Sequence, residues 1–272
     1  MKIKRKYFQD GVYLSYDEEQ SDLIIANLNE NRIYGKDNSI KALRFIGCHT
    51  RPENSKDVII DCGCHIGTFA LPFYDMVKKV LCIDGSETNI KCLKDTLLQD
   101  QFSNIEAIHC ILDRCKRKCS FSDSGPFGSI NFDETNLLSD TLDNILKNEE
   151  TVSLIKYDLE GSELNALIGS NNVINTHRPY LVTELNPLCL SYHQTSILDL
   201  FHIIESHDYE LFLPKEIGMG SYLYLRILET HANEDFFPMG SVSDLFCIPR
   251  EKIYQHTCTC GFCFNILDIV EI

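Results

Sequence analysis

The segment "DVIIDCGCHIGTF" (residues 57–69) decides the fold that this sequence predicts. Its first five residues are a short, largely β-branched run that ends in Asp61, which is typical of a buried strand. Gly63 and Gly67 then permit a tight turn, and "IGTFALPFYDMV" predicts a helix whose first turn Pro72 limits or kinks. A strand, a glycine turn and a helix in this order favour a ligand site at the free N–H groups of the turn and helix.

The same alternation of strands and helices continues along the chain. Apolar runs predict further strands at residues 79–84, 104–112, 152–158 and 179–185, and helical patterns lie between them. After residue 208, three strand-like runs follow one another without a helix. We therefore expect an α/β fold with a Rossmann-like, doubly wound, mostly parallel sheet and an antiparallel edge.

Length and composition indicate how the chain is organised. Its 272 residues suit one large α/β domain or two small ones, and one domain is the economical interpretation. We expect an N-terminal cap or extension over residues 1–55, the main domain over residues 56–250 and a cysteine-rich tail over residues 251–272.

The charge balance argues against nucleic acid as a partner. The net charge is −15, whereas contacts to a phosphate backbone need clustered Lys and Arg. Two short basic runs, residues 2–6 and 114–118, are expected to be a solvated tail and a solvated loop. Contact with an anionic acceptor is the alternative for the second run.

The hydropathy pattern predicts no membrane span. No stretch approaches about 18 consecutive apolar residues, and the basic N-terminus lacks the apolar core of a signal peptide. The thirteen cysteines are then expected to be reduced thiols, and the protein is expected to be cytoplasmic.

Two acids at predicted strand ends indicate the kind of ligand. Asp61 stands where the dinucleotide-binding fingerprint has its first glycine, so it would repel a pyrophosphate and disfavours a nicotinamide dehydrogenase. The same acid suits a ligand with a positive amino group, such as S-adenosylmethionine, which carries an ammonium and a sulfonium. Asp84 ends the next strand, where a carboxylate can accept hydrogen bonds from ribose hydroxyls. The structural alternative for Asp61 is an acid that caps the turn.

The segment "KYDLEGSEL" (residues 156–164) concentrates three carboxylates within six residues. Lys156 and Asp158 share one face of the fourth strand, so they are expected to lie side by side. Glu163 falls in the first turn of the following helix, where the macrodipole favours an acid. The helix does not explain Asp158 or Glu160, and these two acids are therefore candidates for a functional site.

Together these motifs resemble the FkbM family of class I methyltransferases over roughly residues 57–250. The matching segments are "IIDCGCHIGTF" (59–69), "IDGSETNIKCL" (83–93), "TLDNIL" (141–146), "LIKYDLEGSELNALIGS" (154–170) and "RPYLVTEL" (178–185). Two positions depart from the family pattern. His65 replaces the more usual Asn, and Asp84-Gly85-Ser86 replaces the usual Glu-Pro.

The resemblance implies a seven-stranded class I methyltransferase fold and an S-adenosylmethionine-dependent O-methyltransferase. Relatives act on hydroxyls of sugars, glycans or natural products, so the expected partner is a small-molecule or glycan acceptor. The residues expected to bind the cofactor are Asp61, Gly63, His65, Gly67, Thr68, Asp84, Gly85, Ser86, Asp113 and Asp158. Acceptor specificity is expected in residues 1–55 and around 214–242. A non-catalytic scaffold with the same fold is the alternative function.

Methyl transfer to a hydroxyl requires positioning and gains from a base, because a sugar hydroxyl is a poor nucleophile near neutral pH. One hypothesis places Asp158, Glu160 and Glu184 around the sulfonium and the acceptor hydroxyl, with one of them as the base. A second hypothesis has Asp158 and Glu184, at adjacent strand ends, hold Mg²⁺, which prefers oxygen ligands. His193, a few residues beyond the fifth strand, is a further candidate base.

Cysteines are concentrated in the C-terminal tail, within "HTCTCGFCF" (residues 256–264). Cys258, Cys260 and Cys263, together with His256, are residue types that bind zinc. The sequence offers no clear second ligand cluster, so an exposed reducible tail or simple packing is the alternative.

Overall fold

Secondary structure covers most of the chain. The computed structural model describes residues 2–9, 12–20, 22–30, 57–122, 129–131, 137–146, 151–218, 221–253 and 269–271. The strands are β1 (Ile3–Gln9), β2 (Val12–Asp17), β3 (Asp57–Cys62), β4 (Lys79–Asp84), β5 (Ile105–His109), β6 (Ile111–Leu112), β7 (Lys118–Ser122), β8 (Ser129–Asn131), β9 (Leu137–Asp140), β10 (Thr151–Tyr157), β11 (Tyr180–Leu185), β12 (Tyr209–Gly218), β13 (Ser221–Ile227), β14 (Ser243–Pro249) and β15 (Ile269–Glu271).

The helices are mostly short. They are α1 (Leu23–Asn29), α2 (Glu87–Thr96), α3 (Leu142–Ile145), α4 (Glu163–Ile168), α5 (Asn171–His177), α6 (Pro187–Tyr192), α7 (Ile197–Ser206) and α8 (Arg250–Ile253). Within the described ranges, none of them has the length and apolar character needed to cross a membrane.

A nine-stranded sheet forms the centre of the described chain, in the order β15-β13-β12-β14-β11-β10-β3-β4-β5. Strands β3, β4, β5, β10 and β11 pair in parallel, and β14 is antiparallel to its neighbours β11 and β12. The structure therefore confirms the mostly parallel, Rossmann-like sheet with an antiparallel edge. It has more than the seven strands expected, because β13 and β15 continue the sheet beyond β12.

The order of the strands reverses between β3 and β10. From β3 the chain moves outward to β4 and β5, and it then returns to the other side of β3 at β10 and continues to β11. In open parallel sheets a crevice forms beyond the carboxyl ends of the strands at such a reversal, and ligands bind there. Both motif segments follow these strands, since Asp61 is near the end of β3 and Asp158 directly follows β10.

The hydrophobic core is divided between the two faces of the sheet. On β3, Ile59 packs in one cluster of buried side chains, whereas Val58 and Ile60 pack in the other. This is the alternation that a strand buried on both faces requires. The first cluster contains Leu14 of β2, and the second contains Phe201 of α7.

The first crossover differs from the prediction made from the sequence. Turns and a short 3₁₀ segment, Leu71–Phe73, occupy the position where a helix was expected. Pro72 has no N–H to donate and its ring obstructs a preceding helical turn, which explains the missing helix. The segment is nevertheless packed, because the rings of Phe69 and Phe73 lie 5.4 Å apart in the core.

A second, four-stranded sheet, in the order β6-β9-β7-β8, was not predicted. The run at residues 104–112, expected as one strand, is divided into β5 and β6. Between them, the N–H of Cys110 donates to the carbonyl oxygen of Asp84 (3.0 Å), and β6 then leaves the central sheet to pair with β9.

The N-terminal hairpin β1–β2 packs on helix α2. Arg5 pairs with Asp95 (Nη2 to Oδ2, 2.9 Å), and the hydroxyl of Ser15 donates to the same carboxylate (2.7 Å). The N–H of Ser15 also donates to Thr96 Oγ1 (2.8 Å). The basic side chain of Arg5 is therefore exposed but paired, and this part of the chain is not a free tail. Residues 31–55 of the expected extension lie outside the described residues.

Candidate functional site

A cavity of about 370 Å³ opens beyond the carboxyl ends of β3, β4 and β10. Six of the residues singled out in the sequence line it: Gly63, His65, Asp84, Gly85, Asp158 and Glu160. Its apolar wall includes Ile111, Leu112, Phe121 and Ile130, and an N-terminal wall includes Glu19, Gln20, Asp22 and Ile24. The cavity thus lies at the strand reversal, where the topology predicts a ligand.

The glycine turn brings the end of β3 against the end of β10. Gly63 has a φ of +80°, and a Cβ there would lie 1.7 Å from the carbonyl oxygen of Asp158, so no side chain fits. Gly67 also has a positive φ, but a Cβ on it would meet the side chain of Leu93 at 2.8 Å. Gly67 and the buried Thr68 therefore belong to the packing beneath the turn and do not line the cavity.

Asp84 is fixed at the end of β4 by backbone donors. Its carboxylate accepts hydrogen bonds from the N–H of His65 (2.7 Å) and the N–H of Ser86 (2.8 Å). Ser86 begins helix α2 as its N-cap, since its hydroxyl accepts from the N–H of Asn89 (3.2 Å). Ser86 thus positions Asp84 without lining the cavity, whereas Asp84 lines it at the place expected for a ribose contact.

The N-terminal wall of the cavity was expected only in general terms, as a specificity region within residues 1–55, and its residues were not identified from the sequence. Asp22 is the N-cap of α1, where its Oδ1 accepts from Ile25 N–H (2.8 Å), and its Oδ2 lies 3.1 Å from Nε2 of His65. Gln20 donates to the side-chain oxygen of Asn89 (3.0 Å). The N-cap itself has a sequence signal, an Asp before an apolar run. Nothing in the sequence indicates that it meets the glycine turn.

The backbone at His65 explains which residues suit this position. Its φ is +50°, in the left-handed region, where Asn, Asp and His are more frequent than other non-glycine residues. Asn, the more usual residue in the family pattern, and His therefore both fit the turn, and His adds the contact with Asp22.

Asp61 lies behind the glycine turn and does not line the cavity. It is fully buried, and neither carboxylate oxygen has a hydrogen-bond partner among the described residues. Burial raises its pKa to about 7, although the nearby ammonium of Lys156 acts in the opposite direction. The structure therefore does not give Asp61 the turn-capping hydrogen bonds of the structural alternative.

Three acids meet at the ends of β10 and β11. Carboxylate oxygens of Asp158, Glu160 and Glu184 all lie within 4.8 Å of one another, as the adjacent strand ends predicted. Lys156, which is 5% exposed, donates to Asp158 at 2.5 Å, and the expected side-by-side pair is present. Glu184 is more buried than the other two acids and does not line the cavity.

Crowding of these acids shifts their protonation. Burial, and after it the charge of Asp158, raises the pKa of Glu160 to about 7. The same two causes raise the pKa of Glu184 to about 10, and its Oε2 is buried without a hydrogen-bond partner in the described part of the chain. The cluster thus has more carboxylates than the single ammonium of Lys156 can balance.

Glu163 has the structural role that its position predicted. It is buried at the start of α4, and its Oε1 accepts from the N–H of Leu159 (2.8 Å) and of Gly161 (3.2 Å). These bonds hold the turn that contains Glu160, whose φ of +52° is unusual for a residue with a side chain. Cys189 of α6 completes the turn's contacts by donating from Sγ to Glu160 Oε2 (3.5 Å).

Two further predicted site residues, His193 and Asp113, do not line this cavity. His193 is half-buried, with Nδ1 3.4 Å from the hydroxyl of Ser162, and burial lowers its pKa. Asp113 is buried and pairs with Arg117 (Nη2 to Oδ1, 3.0 Å), and it also accepts from the hydroxyl of Ser139 (3.3 Å). The carboxylate of Asp113 is therefore engaged by protein groups and does not line the cavity as expected.

The proposed zinc ligands of the tail cannot be placed at any site. His256, Cys258, Cys260 and Cys263 lie outside the described residues, so the zinc hypothesis stays a prediction.

Comparison with known families decides the identity of the chain. The family model of the methyltransferase FkbM domain matches residues 61–211, more than half of the sequence. The chain belongs to the FkbM methyltransferase family. The match begins at Asp61 and includes the glycine turn, the acid-rich segment and β11. It confirms the resemblance inferred from the motifs, and the sheet is that of a class I methyltransferase.

Solved structures are similar at low sequence identity. An FkbM methyltransferase from Methylobacillus flagellatus is 22% identical, with a TM-score of 0.46 over 72% of this chain and 44% of that one. TYW2 of M. jannaschii, in complex with AdoMet, is 11% identical, with a TM-score of 0.43 over 91% and 87% of the two chains. A putative methyltransferase of Streptococcus mutans, in complex with SAH, is 10% identical, with a TM-score of 0.42 over 78% and 94%.

This FkbM chain thus spans less than half the length of the M. flagellatus protein it resembles. No curated protein matches it.

The charges in the cavity of this FkbM chain fit the methyl donor of its family. Asp22, Asp84, Asp158 and Glu160 line the cavity, while His65 is the one basic side chain among its described lining residues. S-adenosylmethionine carries one more positive charge than S-adenosylhomocysteine, so this cavity is expected to favour the charged donor over the neutral product.

The preference for donor over product should depend on pH. Burial raises the pKa of Glu160, Asp61 and Glu163 to about 7, so all three lose protons as the pH rises from about 6 to about 8, and the site becomes more negative. Calorimetric titrations should show the affinity ratio of S-adenosylmethionine to S-adenosylhomocysteine rising about tenfold over this range. Because both ligands share every other group, their ratio isolates the sulfonium charge.

Glu160→Gln should reduce this pH dependence, whereas Glu234→Gln, at an exposed position, should leave it unchanged. A ratio that stays constant with pH in the unmodified protein would contradict the electrostatic interpretation.

Proposed function

We propose that this chain transfers the methyl group of S-adenosylmethionine to a hydroxyl group of a small-molecule or glycan acceptor. The observation that carries the proposal is the carboxylate of Glu160, which lines the cavity beside two other acids and has a pKa of about 7. A base acts best on a weakly acidic hydroxyl when its own pKa lies near the working pH. Membership of the FkbM family supports the methyl donor.

Different walls of the cavity suit different parts of the donor. In this proposal Asp84, which lines the cavity, accepts hydrogen bonds from the ribose hydroxyls, and the turn at Gly63 permits close backbone approach to the methionine end. Ile111 and Phe121 belong to the apolar wall, which suits the adenine ring. The donor supplies an electrophilic methyl group on a sulfonium. The protein supplies alignment and a negative potential beside the reacting centre.

The three clustered acids have distinct roles in this proposal. Asp158 is held by Lys156, so its charge has a fixed position beside the cavity. Glu160 takes the acceptor's hydroxyl proton on Oε1, because Cys189 occupies its Oε2. Glu184, with a pKa of about 10, retains a proton near neutral pH and removes one repulsive charge from the cluster. Among the predicted bases, Glu160 therefore fits better than Glu184.

Glu160→Gln is expected to lower turnover by about 10²–10⁴-fold, because it removes the base and keeps the size of the side chain. The affinity for S-adenosylhomocysteine should change little, since that ligand lacks the positive sulfonium. Release of S-adenosylhomocysteine during reaction with an acceptor measures the first effect, and calorimetry measures the second. The matched control, Glu234→Gln, is exposed and should behave as the unmodified protein does. Unchanged turnover in Glu160→Gln would rule out this residue as the base.

Magnesium at the same acids is the alternative mechanism. Carboxylate oxygens within 4.8 Å of one another are a set of ligands that suits a hard cation, which would acidify the acceptor hydroxyl. The ammonium of Lys156, however, already donates to Asp158 at 2.5 Å and supplies a positive charge at this position. This contact favours the mechanism without a metal.

Turnover is therefore expected to persist in excess EDTA. The assay compares initial rates of the purified protein with and without the chelator, and with Mg²⁺ added back. Loss of turnover that Mg²⁺ restores would instead support the metal, with Asp158 and Glu184 as its ligands.

The experiment that tests the function begins with cofactor binding. Calorimetric titration should show saturable binding of S-adenosylhomocysteine and none of NADH, which serves as the control. A panel of acceptors, with sugars and glycans first, is then assayed for methylation by mass spectrometry. Failure of the folded protein to bind S-adenosylhomocysteine would overturn the proposal. Binding without turnover on any acceptor would favour the non-catalytic scaffold.

A further inference from the structure

A second cavity, of about 400 Å³, lies beside the cavity at the ends of β3, β4 and β10, which is called the donor cavity from here on. Ile130 lines both cavities. A second link is formed by Ser162 of the donor cavity, whose hydroxyl lies 3.4 Å from Nδ1 of His193 in the wall of the second. Ser162 follows Glu160 by two residues in the same turn. A molecule that occupies both cavities would therefore pass beside the proposed base.

The charge of the second cavity is opposite to that of the first. Arg114 and Arg117 both line it, and no carboxylate does so among the described residues. Its other polar side chains are those of Asn165, Tyr192, Gln194 and His193, and burial lowers the pKa of the His193 imidazole. The protein as a whole has a net charge of −15, so a cavity lined by two guanidinium groups is a local exception to its acidic character.

The two arginines differ in how much of their charge is balanced. Arg117 forms a paired interaction with the buried Asp113. Arg114 instead donates from Nε (2.8 Å) and Nη2 to the side-chain oxygen of Asn165, a neutral amide. A guanidinium has five N–H groups, so three remain on Arg114 without a partner among the described residues. Its positive charge is therefore oriented by Asn165 and not neutralised.

Arg114 is exposed, and hydrogen bonds from its backbone and its side chain orient it. Its backbone N–H donates to Asp113 (2.8 Å), whose carboxylate also binds Arg117, and its side chain is held by Asn165 of α4. A guanidinium held in this way has less conformational freedom to lose when it binds a ligand, and its planar fork matches the oxygens of phosphate or carboxylate.

We propose that the second cavity is a subsite for an anionic oxygen group, a phosphate or a carboxylate, carried by the acceptor whose hydroxyl is methylated. This inference rests on the proposed function and narrows its substrate class to acceptors with such a group. Arg114 binds the anion through its free N–H groups, and the wall at Ile130 and His193 leads from the anion to the donor cavity. This proposal corresponds to the alternative interpretation of the basic run at residues 114–118, which was contact with an anionic acceptor.

The test uses the full chain saturated with S-adenosylhomocysteine and two probes, inorganic phosphate and acetate. Nuclear magnetic resonance of the arginine Nε–H groups should show a saturable shift of the Arg114 signal with at least one probe. Arg114→Gln should weaken that binding by about tenfold or more, and Arg114→Lys should weaken it less, because it keeps the charge and loses the fork. Probe binding in these variants is followed on the side-chain amides of Asn165 and Gln194.

Arg250→Gln is the matched control, since Arg250 is an exposed arginine that pairs with Asp208 and Glu210 and does not line this cavity. If the Arg114 signal shifts with phosphate alone, the anionic group of the acceptor is assigned as a phosphate. If it also shifts with acetate, the subsite accepts carboxylates as well. No saturable shift, or equal binding by Arg114→Gln and the unmodified protein, would overturn the inference. Binding of S-adenosylhomocysteine is measured in the same samples, so failure of the subsite is distinguished from failure of the proposed function.

Discussion

The arrangement of the site depends on one buried ammonium group, that of Lys156. Its burial alone would lower its pKa, but the carboxylates of Asp158, Asp61 and Asp244 outweigh burial and raise it. The ammonium also lies 5.3 Å from the ring centroid of Phe69 in the first crossover. It therefore connects β10, the glycine turn after β3 and the crossover packing. Without this charge, several buried or half-buried carboxylates would face one another unopposed, which destabilises a fold strongly.

Much of this site could be predicted because its parts follow from strand ends. Parallel strands place their carboxyl ends at one edge of the sheet, so the acids at the ends of β10 and β11 had to meet near the turn after β3. Gly63 and Asp84 could also be predicted from local sequence. A glycine marks the close backbone approach at residue 63, and an acid at the end of the next strand marks Asp84. Glu163 also followed from its position in the first turn of a helix.

The features that escaped prediction depend on contacts distant in sequence or on competition between local groups. Asp22 meets His65 across 43 residues, and no local pattern records that distance. Asp113 follows a strand as a cofactor ligand would, yet Arg117 and Ser139 engage its carboxylate. The helix expected around Pro72 is absent for a different reason. The apolar pattern of this segment favours a helix, but Pro72 lacks the N–H that a helix interior needs. Spacing predicts which residues can meet, whereas competition among partners decides which ones do.

The N-terminal wall of the cavity determines which fragments of the protein can retain the site. The family match runs over residues 61–211, but Glu19, Gln20, Asp22 and Ile24 line the cavity. In addition, β14, which follows the match, separates β11 from β12. A truncated protein cut at the limits of the matched domain would lose one side of this cavity and an interior strand of its sheet. The smallest unit that retains the site is therefore larger than the unit that sequence similarity marks, and fragments for biochemical work should begin before β1 and extend beyond β14.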